Sequence, residues 1–172
     1  MVAEPQGRAP QDTALLVRDV PVSILVRARW VAWFAMGAIG VLLLVFLAAQ
    51  LVPYGRTHGN PPVVQEPAWD SAQTRTLFAR ACNDCHSNET EWSRLSNVAP
   101  LSWLTQWAID EGRNVFNVSE WPSGGRKAGN IAGSVQRGQM PPEIYVSLYP
   151  EARLTPTEQQ ALIRGLRATF GD

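Results

Sequence analysis

The apolar positions of this chain follow two different patterns. From Trp30 to Gly55 no charged residue occurs, and Val31–Val52 is interrupted only by Gly37, Gly40 and Gln50. As a helix these 22 residues reach about 33 Å, enough to cross a hydrocarbon core of about 30 Å. Beyond Pro67 the pattern becomes amphipathic. Leu77, Phe78, Ala81, Cys82 and Cys85 recur at helical spacing behind a cap at Asp70 or Ser71. Trp103, Leu104, Trp107 and Ala108 form a second face, with Ser102 as cap and Gly112 as stop. Ala128, Ile131, Ala132 and Val135 form a third, which Gly138 can end in the left-handed conformation. The last helix opens with Thr155-Pro156-Thr157-Glu158, a capping box with proline at its first position, and buries Ala161, Leu162, Gly165 and Leu166. No alternating strand pattern competes, so the spacing predicts an all-α domain of four or five short helices behind one long apolar helix.

The long run does not suit a buried core helix, because so small a domain could hardly wrap a helix that is apolar all round. It also exceeds the apolar region of a cleavable signal peptide, and Leu47-Ala48-Ala49 lacks a small residue at the first of those positions. It is read as a single-pass anchor. Four segments follow: a cytoplasmic tail over 1–29, a transmembrane helix over 30–52, a Pro/Gly-rich linker over 53–69 and a folded domain over 70–172. Arg18, Arg27 and Arg29 precede the span closely and only Arg56 follows it. That asymmetry places the N-terminus in the cytoplasm and the folded domain on the outer side of the cytoplasmic membrane. Ten of the 17 tail residues from Thr13 to Arg29 are Ala, Val, Leu or Ile, so the tail is expected against lipid or a partner subunit.

Charge narrows the function classes. The chain is neutral overall, and Pro53–Asp172 carries 11 Lys and Arg against 12 Asp and Glu. No basic face is available for nucleic acid, which is excluded as a partner.

The two cysteines of the chain fall in Cys82-Asn83-Asp84-Cys85-His86. Two cysteines three apart with a histidine directly after them form the attachment signature of haem c. On a helix, positions i, i+3 and i+4 share one face, so both thiols can add to the porphyrin vinyls while the histidine takes the iron. A four-ligand zinc site would need Cys82, Cys85, His86 and the distant His58 together. A redox dithiol calls for a βαβ context that is missing, and neither it nor a plain disulfide explains His86. One covalently attached haem c is the expected cofactor, and an outer-side domain agrees with it.

The ligand opposite His86 decides whether the iron is closed for electron transfer or open to peroxide or gas. Met140 is the methionine of the folded domain, since Met1 and Met36 lie in the tail and the span. It stands in Gln139-Met140-Pro141-Pro142, where the prolines stiffen the loop that presents it. His58, Lys127 and an open site are the alternatives. Trp69, Trp92, Trp103, Trp107 and Trp121 are mostly core, with one or two indoles available to haem propionates; Arg113, Arg126 and Lys127 are further propionate candidates.

These residues resemble the bacterial haem-binding-domain family of monohaem c-type cytochromes. The likeness lies in Cys82–Ser87 with Glu91-Trp92, Ala99–Leu104, Gly112-Arg113, Asn117–Trp121, Gly138–Pro142 and Leu154–Glu158. It implies a cytochrome-c-like helical fold, Cys82 and Cys85 as thioether attachments, His86 as proximal ligand and Met140 as distal ligand. Two positions depart from the family pattern: Ser93 stands where a proline is expected, and Tyr149 near an expected histidine. The expected function is a membrane-anchored electron relay within a respiratory or photosynthetic complex. Its partners would be membrane lipid, integral-membrane subunits, and a redox donor and acceptor. A gas sensor or peroxidase with an open sixth site is one rival; a structural subunit with an incidental haem is the other.

Overall fold

The computed structural model describes residues 22–124 and 130–171. The tail 1–21, with Arg18 and most of its apolar stretch, lies outside the described residues, as do Arg126, Lys127 and Ala128. The chain divides into two compact units, 1–48 and 49–172.

In the first unit, helix α1 (Val22–Ala49) includes 21 residues from Arg29 to Ala49 with a mean hydropathy of 2.5. This one N-terminal helix is long and apolar enough to span a membrane. Side chains from Trp30 to Ala48 are exposed all round, as a helix without a polar face requires of its surroundings. The helix starts well before the expected span and ends at Ala49 rather than Val52.

The second unit is helical, and its described residues form no strand beyond a single bridge between Gln65 and Glu120. Its helices are α2 (Ala72–His86), α3 (Leu101–Val115), the short α4 (Trp121–Gly124), α5 (Ile131–Gln136), α6 (Glu143–Leu148) and α7 (Pro156–Phe170). Caps set several of these ends. Ser71 accepts the N–H of Thr74, Asn130 accepts that of Gly133, and Thr155 and Glu158 form the complete capping box. Gly171 closes α7 in the left-handed conformation, at a φ of 76°.

Helix α2 lies between α7 and α3, and a glycine permits each approach. A Cβ on Gly165 of α7 would overlap the Thr74 side chain, and one on Gly112 of α3 would overlap the Cys85 carbonyl oxygen. Gly112 is therefore a buried contact inside α3 and not its stop; the helix continues to Val115. Leu77, Phe78, Phe116, Val118, Ile131, Val135, Leu162, Ile163 and Leu166 make the core, with Trp69, Trp121 and Phe170 packed against it. The second predicted face is not the buried one: Trp103 and Ala108 are half-buried and Leu104 and Trp107 remain about 60% exposed, whereas Ile109, outside that face, is buried. Nor is Ser102 the cap; it lies buried inside α3, which Pro100 precedes.

Residues 53–69 form no helix: after a turn at Tyr54-Gly55 they run as irregular backbone bound along the domain. Both Val64 and Gln65 donate their N–H to the Ser119 carbonyl, and Trp121 donates back to Gln65. Gly55 lies against Ser102 so closely that no side chain would fit. Ahead of this segment the Gln50 amide pairs twice with the Ala99 backbone, donating to its carbonyl at 3.0 Å and accepting its N–H at 3.1 Å.

Candidate functional site

Cys82, Cys85 and His86 close α2, and the helix aims all three at one cavity of about 640 Å³. Phe78 and Ala81 of the same helix line it, with Trp107, Ala108 and Gly112 from α3, Ile131 and Val135 from α5, and Tyr145 from α6. Met140 lines it too. The sequence motif and the single methionine of the folded domain, 54 positions past His86, thus reach the same space. The loop presenting Met140 is tied down on α5: Gln139 and Met140 both donate their N–H to the Ser134 carbonyl, at 2.9 and 3.3 Å.

The histidine is fixed by Phe116 in two ways. Its Nδ1–H donates to the Phe116 carbonyl at 3.3 Å, which leaves the Nε2 lone pair for a ligand. Its ring also stacks on the Phe116 ring at 4.0 Å, with only 8° between the planes. Burial pushes the imidazole pKa down against the opposing pull of the Phe116 and Gly112 carbonyls, favouring the neutral form that binds metals.

The thiols are free. Burial, with Cys85 nearby, pushes the Cys82 thiol up to about 12. Burial and the Asp84 charge push Cys85 up to about 11, against the Arg113 guanidinium. A disulfide-exchange cysteine needs the reverse shift, because the thiolate is the attacking species. Among the described residues no three of His, Cys, Asp and Glu gather as ion ligands, which leaves the zinc reading without a donor set.

A family model for the haem-binding domain matches residues 44–168. The chain belongs to the haem-binding-domain family. No match was found among curated proteins or among solved structures. The haem-binding domain carries a site suited to that cofactor. Its cavity lies within the roughly 300–1,000 Å³ of cofactor pockets and is lined mainly by apolar side chains. An imidazole nitrogen, a thioether and two thiols are the soft or borderline donors that iron and porphyrin vinyls accept.

Of the other candidates, His58 falls outside the cavity lining. Its ring stacks on Trp92 at 4.6 Å, and its Nε2 lies 3.2 Å from the Ser96 carbonyl. Arg113 is engaged elsewhere. Its guanidinium donates to the carbonyls of Ser87 and Gly59, to Asn60 Oδ1 and to Thr90 Oγ1 at 2.8–3.2 Å, joining the segment 53–69 to the loop after His86. Among the five tryptophans, Trp107 lines the cavity, while the indoles of Trp69 and Trp92 donate to Glu66 and Asn60.

Sequence reasoning assigned no role to the polar residues that support the histidine. Val118 donates its N–H to the His86 carbonyl at 2.8 Å. Asn117 donates to Asn88 Oδ1 at 2.8 Å, Asn88 N–H donates to Ser119 Oγ at 2.9 Å, and Ser119 N–H donates to Asn117 Oδ1 at 3.0 Å. All three side chains are buried. The signal was present in the family-like stretch Asn117–Trp121, whose polar residues are too many for a core and too apolar in context for a surface loop.

Proposed function

We propose that this haem-binding protein is a membrane-anchored monohaem cytochrome c. It relays single electrons on the outer side of the cytoplasmic membrane as a subunit of a respiratory or photosynthetic electron-transfer complex. One observation carries the reading: Cys82, Cys85, His86 and Met140 line the same cavity. When bound there, haem c supplies an iron that changes by one electron between Fe(II) and Fe(III).

The chain's own residues would divide the work. Cys82 and Cys85 would hold the cofactor by each adding its S–H across one vinyl C=C, which retains it irrespective of its redox state. His86, held in one tautomer by the Phe116 carbonyl, would bind the iron through Nε2. Met140 would supply a second ligand to the iron, and a sulfur donor there would raise the potential and exclude small molecules. The apolar walls from α2, α3 and α5 would lower the polarity around the iron and limit the rearrangement that accompanies a change of charge. Helix α1 would hold the domain beside membrane donors and acceptors, raising their effective concentration. Arg27 and Arg29 at its N-terminal end support an outer placement of the haem domain.

The test is the visible spectrum of oxidised and reduced full-length protein, with and without Met140→Ala. A low-spin spectrum with a sulfur-to-iron band that disappears in the variant supports the His86–Met140 pair. A high-spin spectrum that shifts with carbon monoxide or peroxide in the unaltered protein refutes it and favours a sensor or peroxidase.

A further inference from the structure

Helix α6 follows directly on Met140-Pro141-Pro142 and has only six residues, of which Val146 is the buried one. So short a helix has little stability of its own and depends on tertiary anchors. Most of its polar contacts are local: Glu143 pairs with Arg153, and Ser147 bonds to the Glu143 carbonyl. Tyr145 differs. Its hydroxyl donates to Asp84 Oδ2 at 2.7 Å, across 61 positions of sequence, while Tyr145 lines the same cavity as Met140. Asp84 is the residue between the two cysteines that directly precedes Cys85. Its other oxygen accepts the Glu91 N–H at 2.8 Å, so the carboxylate is held to receive the phenol. Tyr149 stacks on the Tyr145 ring at 4.9 Å and limits its rotation.

We propose that Tyr145 is a positioning residue: through Asp84 it latches the Met140 segment to the haem-attachment helix and so keeps the thioether on the iron. The proposal rests on the axial role assigned to Met140 above. The two ends of the distal loop are then held differently, by backbone bonds to Ser134 on α5 before the prolines and by the phenol on α2 after them. A phenol donating to a carboxylate belongs to the stronger, charge-assisted class of hydrogen bond. Without it, Met140 remains available as a ligand but yields more readily to a competitor.

The experiment titrates imidazole, which competes with Met140 for the iron, into oxidised full-length protein in detergent. Tyr145→Phe keeps the ring and removes the donor. It is expected to retain covalent haem and the sulfur-to-iron band and to bind imidazole about tenfold more tightly, the loss associated with one hydrogen bond to a charged group. Asp84→Ala should give a similar gain, and the double variant little more than either alone. In a Met140→Ala background, Tyr145→Phe should change nothing, because no thioether is left to hold; general loosening would act in both backgrounds. Unchanged imidazole affinity in Tyr145→Phe, or an equal gain in the Met140→Ala background, overturns the latch while leaving the axial pair intact. Absence of the sulfur-to-iron band in the unaltered protein defeats the axial reading first, and the latch with it.

Discussion

Gly112→Ala reverses the usual expectation for a helix. In the interior of α3 the change from glycine to alanine should by propensity stabilise the protein by about 1 kcal/mol. The contact with α2 opposes it. A Cβ at this position would overlap the Cys85 carbonyl oxygen and lie 2.8 Å from Cys85 Cβ and 2.9 Å from its carbonyl carbon. Carbon atoms in good contact stay about 3.5–4.0 Å apart, so the helices must separate by roughly 1 Å. The obstructing atoms are largely backbone, which cannot rotate aside as the end of a long side chain can. Overpacking of this kind costs about 1–3 kcal/mol, and the upper half of that range applies to an unyielding neighbour. The net expectation is a loss of about 1–2 kcal/mol, or roughly 4–8 °C in Tm for a domain of this size. The strain also reaches Cys85, directly before His86, so the haem spectrum should change with the melting temperature. Full-length protein in detergent, melted by circular dichroism and compared by visible spectrum, measures both. A variant that melts higher than the unaltered protein with an identical spectrum would refute the close approach of α2 and α3.

Asn117→Ala leaves Asn88 Oδ1 without its donor and Ser119 N–H without its acceptor in a buried network, and should cost about 1–3 kcal/mol in denaturant unfolding. A change within experimental error would show that water replaces both bonds. For pH, Glu158 is informative. The Thr155 backbone N–H, the Arg80 guanidinium and the Thr155 hydroxyl hold its carboxyl at about 2, below an ordinary value of 4.5. A depressed carboxyl pKa adds stability that is complete above the unfolded value and is lost as pH falls from about 4.5 towards 2. Glu158→Gln should therefore flatten the fall of Tm with acid in that window. Parallel Tm profiles for variant and unaltered protein would show that the capping box does not report on folding.

Local signals in the sequence were read well at two helix starts and not at a third, where Ser102 lies buried inside α3 instead of capping it. The capping box at Thr155 and the hydroxyl cap at Ser71 announce helix starts because the partner groups lie within three residues. The spacing of Cys82, Cys85 and His86 announces one helical face for the same reason. Non-local contacts left less trace. Gly112 looks like a helix stop in any window, since the reason for it is Cys85, 27 positions earlier. The proline and glycine content of residues 53–69 marks where helix cannot continue, but the partners that bind the segment, Ser119, Thr90 and Arg113, are distant. Periodicity identified α3 and could not say that Trp107 serves a cavity wall while Ile109 serves the core. Met140 is singled out by elimination among three methionines, an argument from chemistry and not from pattern, and it lines the cavity.

Phe116 supports His86 with two different parts of itself. Its ring sets the plane of the imidazole, and its carbonyl oxygen sets which nitrogen carries the proton. The first property is encoded by a side chain and changes with a single codon. The second belongs to the main chain, which every substituent at position 116 would share. Drift at this position can therefore rotate the imidazole without altering its tautomer, leaving its orientation open to selection while its basicity is largely insulated from it.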